Sequence, residues 1–271
     1  MPRLLAAIAI TTAVLAVSAP PADAGGKKSK AAASPAARDL VAQLLIHARD
    51  LLDAGQADSV IAVLAPALAA APPGAPLDPR LTRALVLACG AAGTPWEGVH
   101  AIADMIRVRP GEVQLYAALG ELELQRRRPE VALRQFQLAI MTDNRSPEAL
   151  GGFGRCRARV GGSVENALSY LDKLAKGMPG NAAVRYGKGV LLLEAGRVDE
   201  AVAEFKWALG LDDAMWQNER EYGRALLRLG DRQGATAHLV RAVQLLDAAG
   251  DPLTADRVGQ ELRAAAEGAG G

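Results

Sequence analysis

The histidines and cysteines are the residues whose side chains are best suited to catalysis or metal binding in this chain of 271 residues. Its three histidines, His47, His100 and His238, lie far apart in sequence. None has a second ligand at the spacing that a metal site requires. The sequence also lacks nucleophile motifs and zinc-protease signatures. We therefore expect no metal, no cofactor and no catalytic residue, and a protein that is not an enzyme.

A glycine-rich stretch, Gly151 to Gly154, has the composition of a phosphate-binding loop. The lysine and the serine or threonine that complete that motif do not follow it. The stretch also lies within a segment whose apolar residues have helical spacing. We therefore interpret Gly154 as a position where two helices pack closely, and not as part of a nucleotide site.

Arginines form the most regular pattern of charged residues. Arg220, Arg224 and Arg228 follow one another at four-residue intervals, which places them on one face of a helix. Like charges at this spacing repel slightly, and a ligand carboxylate held in a bidentate pair would relieve that repulsion. The chain as a whole has 31 basic and 30 acidic residues, a balance that argues against binding to nucleic acid or a membrane surface.

Composition indicates that helices position these side chains. Half of the residues are hydrophobic, yet only 4% are aromatic. Most of the apolar residues are alanine, leucine and valine. Small side chains in such numbers favour closely packed helices over a sheet.

A repeat of about 34 residues organises these helices. Small or apolar residues at five positions recur 34 residues later. The pairs are Gly189 and Gly223, Gly196 and Gly230, Ala201 and Ala235, Phe205 and Leu239, and Ala208 and Ala242. One unit has an extra residue in the turn 161–163, and four residues are inserted at 75–78. The resulting units are 41–74, 79–112, 113–146, 147–181, 182–215 and 216–249.

At these positions the sequence resembles the tetratricopeptide repeat family, whose unit has a small residue in helix A, glycine near the turn and alanine in helix B. Two departures are Val60 in place of the helix B alanine and Arg127 in place of the turn glycine. The resemblance implies an all-α fold, a right-handed α-solenoid of about six tandem hairpins, in an array over 37–249. Stacking of neighbouring hairpins supplies the core that no single hairpin can form.

The resemblance also implies a concave groove that binds a peptide. The family's ligand-binding positions on helix A fall on nine residues that we predict to line it: Arg80, Arg83, Glu121, Arg155, Arg159, Tyr186, Arg220, Arg224 and Arg228. Arg49, Asp53, Glu148 and Glu194 fall in the same set. Two interpretations stand side by side. The arginines bind an acidic or C-terminal-carboxylate peptide, or they form a solvated polar face that binds nothing.

The N-terminal residues have the three parts of a secretory signal. Arg3 precedes the uncharged apolar run 4–17, and Ala22-Asp23-Ala24 supplies small residues for a signal peptidase. The run is shorter than the roughly 20 residues that span a bilayer. We predict a signal peptide at 1–24, cleavage after Ala24, a flexible tether at 25–36, and a periplasmic or secreted protein without a membrane span. An uncleaved anchor is the alternative.

The other end predicts a capping helix over 250–267 and a disordered tail over 268–271. Cys89 and Cys156 fall in helix A of units two repeats apart. Packed helices are roughly 10 Å apart, which places these thiols beyond the reach of a disulfide. We therefore expect two buried free thiols.

The leading functional hypothesis is a scaffold of the cell envelope that binds a protein or peptide, and exists as a monomer or weak homo-oligomer. The alternative is a structural oligomer subunit that uses its convex face and its ends. Trp207 bears on this choice, because it lies off the apolar stripe of its helix. It either packs at a repeat junction or marks a dimer contact.

Overall fold

The computed structural model describes residues 35–71 and 77–267, and within those ranges it contains only helices, without strands. The all-α solenoid is thus confirmed. The predicted signal peptide, its cleavage site, the tail 268–271 and residues 25–34 of the tether lie outside the described residues, as do residues 75 and 76 of the insertion. The helices are α1 (Pro35–Asp53), α2 (Ala57–Ala69), α3 (Pro79–Ala92), α4 (Pro95–Val108), α5 (Val113–Gln125), α6 (Pro129–Thr142), α7 (Pro147–Val160), α8 (Val164–Gly177), α9 (Ala182–Glu194), α10 (Val198–Leu211), α11 (Trp216–Arg228), α12 (Arg232–Ala248) and α13 (Pro252–Glu267).

The helices form six successive pairs, α1–α2 to α11–α12, followed by α13. Each pair corresponds to one sequence unit, although α1 begins at Pro35, inside the predicted tether. Proline at the first helical position starts several helices, among them α3 and α7. Asp78 and Ser146 cap these two with side-chain oxygens that accept backbone N–H groups.

The turns within the hairpins show why glycine recurs there. Gly93, Gly196 and Gly230 have left-handed backbones, with φ between 70° and 82°. Arg127, where the repeat lacks its glycine, takes the same conformation with φ of 58°. It is the one residue other than glycine with positive φ in the described part of the chain. The position requires this conformation, and an L-residue adopts it at a steric cost.

Small residues let the helices approach closely. A Cβ on Gly154 would lie 2.8 Å from the backbone oxygen of Gly187 and 2.9 Å from the backbone nitrogen of Leu191. This is the close packing that the glycine-rich stretch predicts, here between α7 and α9. A Cβ on Gly189 would lie 2.4 Å from the ring of Phe205, which is fully buried between α9 and α10.

Cys89 and Cys156 are both buried and free, as predicted. Burial raises the pKa of the Cys89 thiol to about 11 and that of Cys156 to about 12. Both side chains pack as small apolar groups, Cys89 against the core of the first three units and Cys156 against that of the later ones.

The ends of the array meet. Helix α13 packs against α12, and also against α1 and α3 at the opposite end of the chain. Leu253 of α13 is buried in the apolar cluster that contains Leu44, Leu85 and Leu119 of α1, α3 and α5. Among the described helices, none combines the length and apolar character needed to cross a bilayer.

Candidate protein-binding groove

The first helix of each pair forms one continuous surface. Helices α1, α3, α5, α7, α9 and α11 contact one another in that order, and we call the surface they form the inner wall. We identify it with the concave face, because side chains of α3, α7 and α11, two units apart, meet across it. The predicted groove residues all belong to the helices of this wall.

At one edge of the inner wall, Arg83 joins three distant parts of the chain. Its guanidinium nitrogens lie 2.9 and 3.1 Å from Oδ2 of Asp251, a carboxylate that is only 1% exposed. Another nitrogen lies 3.3 Å from Oε1 of Glu148 on α7. The same Glu148 oxygen accepts a hydrogen bond of 2.9 Å from Gln217 on α11. Units two, four and six therefore meet at one point.

Arg80 strengthens this junction. Its guanidinium donates to the backbone oxygens of Ala249 and Gly250, at 3.0 and 3.2 Å, and pairs with Asp78. The Asp78 hydrogen bond offsets the cost of burial and raises the pKa of Arg80, so it stays charged. Arg80 and Arg83 together hold the segment that precedes α13.

A cluster of buried charges lies on α11, the last helix of the inner wall. Glu221 is 2% exposed and accepts hydrogen bonds from Arg224 at 2.9 and 3.1 Å and from Arg220 at 3.3 Å. Burial alone would raise the pKa of its carboxyl, but Arg220, Arg224 and Arg155 outweigh burial and lower that pKa. Glu221 is therefore ionised at neutral pH.

The ion pair between Arg155 and Glu121 extends this cluster. The two residues are 34 positions apart and occupy equivalent places in neighbouring units. Burial alone would lower the pKa of the Arg155 guanidinium, but Glu121, Tyr186 and Glu221 outweigh it and raise the pKa.

Tyr186 is not the exposed, flat surface that the repeat register predicts. It is 3% exposed and packs beside Phe205, with ring centroids 6.3 Å apart. Gly151 has no side chain, so the Tyr186 ring fills the space in front of it. Burial raises the pKa of the phenol. Tyr186 thus packs in the core between α7, α9 and α10, and it offers little area to a ligand.

Each arginine of the predicted groove has an acceptor within the chain. Arg159 pairs with Glu194 at 3.4 Å, Arg228 donates to the backbone oxygen of Leu193, and Arg49 pairs with its neighbour Asp50. The repulsion expected within the series at 220, 224 and 228 is therefore already offset by internal acceptors. Arg159 and Arg228 are the more exposed members, and Arg224 is partly exposed.

Comparisons with known proteins agree with the repeat architecture. A family model described as tetratricopeptide repeat matches residues 162–209, which contain α8, α9 and most of α10. This match falls within the repeats that the sequence predicts. An inactive TPR repeat-containing thioredoxin of Arabidopsis thaliana is 31% identical over 110 residues, 41% of the chain. The match spans only 16% of that relative.

Solved structures of tetratricopeptide-repeat proteins also resemble it. A thermophilic TPR protein from Thermus thermophilus has a TM-score of 0.47 at 18% identity, and the match covers 69% of this chain and 98% of the other. A tetratricopeptide repeat protein from Parabacteroides merdae has a TM-score of 0.41 at 16% identity, with 82% and 91% covered.

Three acidic residues that pair with arginines of the inner wall could not be predicted from the sequence: Glu221, Asp251 and Glu261. Glu261 of α13 pairs with Arg220, with its oxygens 2.9 and 3.1 Å from Nε. Glu221 follows Arg220, one of the predicted groove residues, and lies three residues before Arg224. This spacing was the one local indication that Glu221 pairs with an arginine. Asp251 and Glu261 had no local signal, because their arginines lie 168 and 41 residues away.

A cavity remains beside α13. Its volume is about 510 Å³, and it lies between α13 and helices α1, α3 and α5. Leu52, Leu87 and Ala91 contribute apolar walls. Polar side chains line the rest: Arg49, Asp53, Gln125, Asp256, Arg257 and Gln260. In the described ranges, no group of three or more His, Cys, Asp or Glu side chains is arranged to hold a metal ion.

The second helices of the hairpins carry most of the exposed large apolar residues. Trp207 on α10 is 54% exposed, and the Arg185 guanidinium lies 3.5 Å from the centre of its ring. Met141 on α6 is 81% exposed. Trp207 is therefore a surface residue with one cationic neighbour, and is not buried at a repeat junction.

Proposed function

We propose that this protein is a non-catalytic scaffold that binds a protein segment along its inner wall. Tetratricopeptide-repeat proteins bind proteins or peptides, so the architecture gives the class of function. The observation that carries the location is the exposure of two guanidinium groups on the inner wall, those of Arg159 and Arg228. Exposed charged groups of this kind can fix the orientation of a bound segment.

An acidic segment is the partner that best matches the exposed arginines. Arg159 on α7 and Arg228 on α11 are exposed to solvent. Within the chain, Arg159 pairs with Glu194 at 3.4 Å, and Arg228 donates to the backbone oxygen of Leu193. A partner carboxylate would make a stronger, charge-assisted pair with either guanidinium.

The test is capture of partners after charge reversal. The groove variant is Arg159→Glu with Arg228→Glu. The control variant, Arg107→Glu with Arg134→Glu, makes the same charge change at exposed positions on α4 and α6. Affinity purification from the cell-envelope fraction, quantified by mass spectrometry, should lose partners with the groove variant and retain them with the control. Equal recovery from both variants would contradict binding at the inner wall.

Export to the periplasm or beyond is part of the proposal, and it rests on the signal-like residues 1–24. We expect the mature protein to begin at Gly25. N-terminal sequencing of the protein recovered from the periplasm or medium checks this. Recovery from the cytoplasm with residues 1–24 intact would contradict export.

The exposed apolar residues of the convex face support a second candidate, a structural oligomer subunit. Trp207 and Met141 are the side chains that favour it. Light scattering of the wild type and of Trp207→Ala separates the two candidates, because a scaffold that binds through its inner wall is monomeric in both cases. An oligomer that Trp207→Ala dissociates would favour the structural subunit.

A further inference from the structure

Helix α13 occupies part of the surface on which the proposed function depends. Two of its features contact the inner wall: the buried side chain of Leu253, and Glu261, paired with Arg220 on α11. Asp251, just before the helix, pairs with Arg83 on α3. The surface therefore already holds one amphipathic helix.

A second face of α13 does a different task. Ala255 and Val258 pack on Leu239, Ala242 and Leu246 of α12 and cover the end of the last repeat. The end of a solenoid requires a cover for the apolar face of its last repeat. Ala255 and Val258 provide this cover without Leu253 or Glu261. The contacts with the inner wall are thus additional to capping.

Charged pairs are prominent among the contacts with the inner wall. Leu253 is buried there, and Asp251 and Glu261 pair with arginines whose guanidinium groups are partly exposed. Gly250, with φ of 66°, lies in the short connection between α12 and α13. A glycine in this conformation makes the connection a point where the direction of the chain can change.

We propose that α13 is an internal competitor of the partner, and that the partner binds as an amphipathic helix that takes its place on the inner wall. This inference rests on the proposed function and specifies its ligand. The replacing helix carries a leucine-like side chain for the Leu253 site and a carboxylate for Arg220. These groups are eight residues apart in α13, about 12 Å along a helix.

The test weakens the competitor and leaves the inner wall intact. The open variant is Leu253→Ala with Glu261→Gln, which keeps Asp251 as the N-terminal cap of α13. The control variant is Leu262→Ala with Glu267→Gln, which removes the same groups from α13 at other positions. Leu262 packs in the cluster with Leu239 and Leu246 of α12, and Glu267 is exposed. The probe is a fluorescent synthetic peptide of residues 251–267, added to each full-length protein.

We expect the peptide to bind the open variant at least ten-fold more tightly than the wild type or the control, measured by fluorescence anisotropy. Hydrogen exchange should show that the inner-wall helices α1 and α3 become protected when the peptide binds. Equal affinity for all three proteins would overturn the proposal. An open variant that forms a dimer through exchanged α13 helices would also overturn it, because a second copy would then be the occupant.

Glu261→Gln alone serves if the double variant does not fold, as judged by circular dichroism. It should give an intermediate gain in peptide affinity of about three-fold, and no gain would count against the proposal. Failure here is distinguishable from failure of the proposed function. A captured partner that needs Arg159 and Arg228 but leaves the exchange of α13 unchanged would refute the competition and retain the scaffold. A partner that ignores those arginines would refute the scaffold site itself.

Discussion

The joint between α7 and α9 and the joint between α13 and the inner wall hold the array together by different means. Between α7 and α9, glycines bring backbones into contact, and Gly154 faces Gly187 and Leu191 directly. At α13, the guanidinium groups of Arg80 and Arg83 bind backbone oxygens and the buried carboxylate of Asp251. The first joint depends on shape and the second on charge.

This difference separates permanent from exchangeable contacts. A backbone-to-backbone joint has no tolerance for added volume, because packed interiors are nearly as dense as crystals. In an arginine–carboxylate joint, the carboxylate of another molecule can replace the original one if it takes the same position relative to the guanidinium. The inner wall is therefore suited to exchange at α13, and the middle of the array is suited to rigidity.

The largest expected effect tests the shape-dependent joint. Gly154→Ala should lower the free energy of unfolding by about 3 kcal/mol, because its Cβ would meet backbone atoms that cannot move aside. Denaturant melting at two salt concentrations measures this loss, which should not depend on salt. Gly210→Ala is the matched control, since a Cβ there meets nothing within 4 Å. A loss of similar size in both variants would show that close packing is not the cause.

A smaller effect tests the charge-dependent side. Glu221→Gln should cost about 2 kcal/mol at pH 7, the contribution of hydrogen bonds to a charged group. The folded-state pKa of Glu221 is lowered. Its ionised form therefore stabilises the fold above the unfolded pKa of about 4.3, and that stability is lost as pH falls through the lower folded pKa.

Thermal melting of the wild type and of Glu221→Gln from pH 7 to pH 3 checks this dependence. The two curves should lie apart at pH 7 and approach each other below about pH 4. A difference that stays constant to pH 3 would mean that the Glu221 charge is not what the arginines stabilise.

The smallest effect lies in a turn and involves neither joint. Arg127→Gly should raise the free energy of unfolding by about 0.5 kcal/mol, because glycine removes the cost of the left-handed backbone but adds unfolded-state entropy. The Arg127 side chain is exposed, so little contact is lost. Chemical denaturation of this variant, with Arg128→Gly as the control at a negative φ, should show a gain only at position 127.

The repeat and its helices could be predicted from the sequence because their causes are local. Glycine recurs at turns, and the apolar residues around Phe205 have helical spacing, so the paired helices and the all-α fold followed directly. The repeat register also predicted that Cys89 is buried and forms no disulfide. Even the exceptional turn at Arg127 was marked, because the position of a missing glycine is visible in a repeat.

The chemistry of the inner wall was less predictable because its causes are distant. The register placed Arg83 on the correct helix, yet nothing near it indicates Asp251, 168 residues later. Tyr186 was assigned to the surface because its position in the unit usually is. Here Gly151 on the neighbouring helix leaves room for the ring to turn inward, and nothing near Tyr186 in the sequence indicates that contact.

The meeting of Arg83 with Asp251 has a consequence for how the chain unfolds. In a linear array, each unit is stabilised only by its neighbours, so the terminal units fray first and independently. Contacts from α13 to α1 and α3 give the first unit a neighbour at the far end of the sequence. The array then behaves as a ring, in which unfolding at either terminus is felt at the other, and the melting transition gains cooperativity that its repeat number alone would not supply.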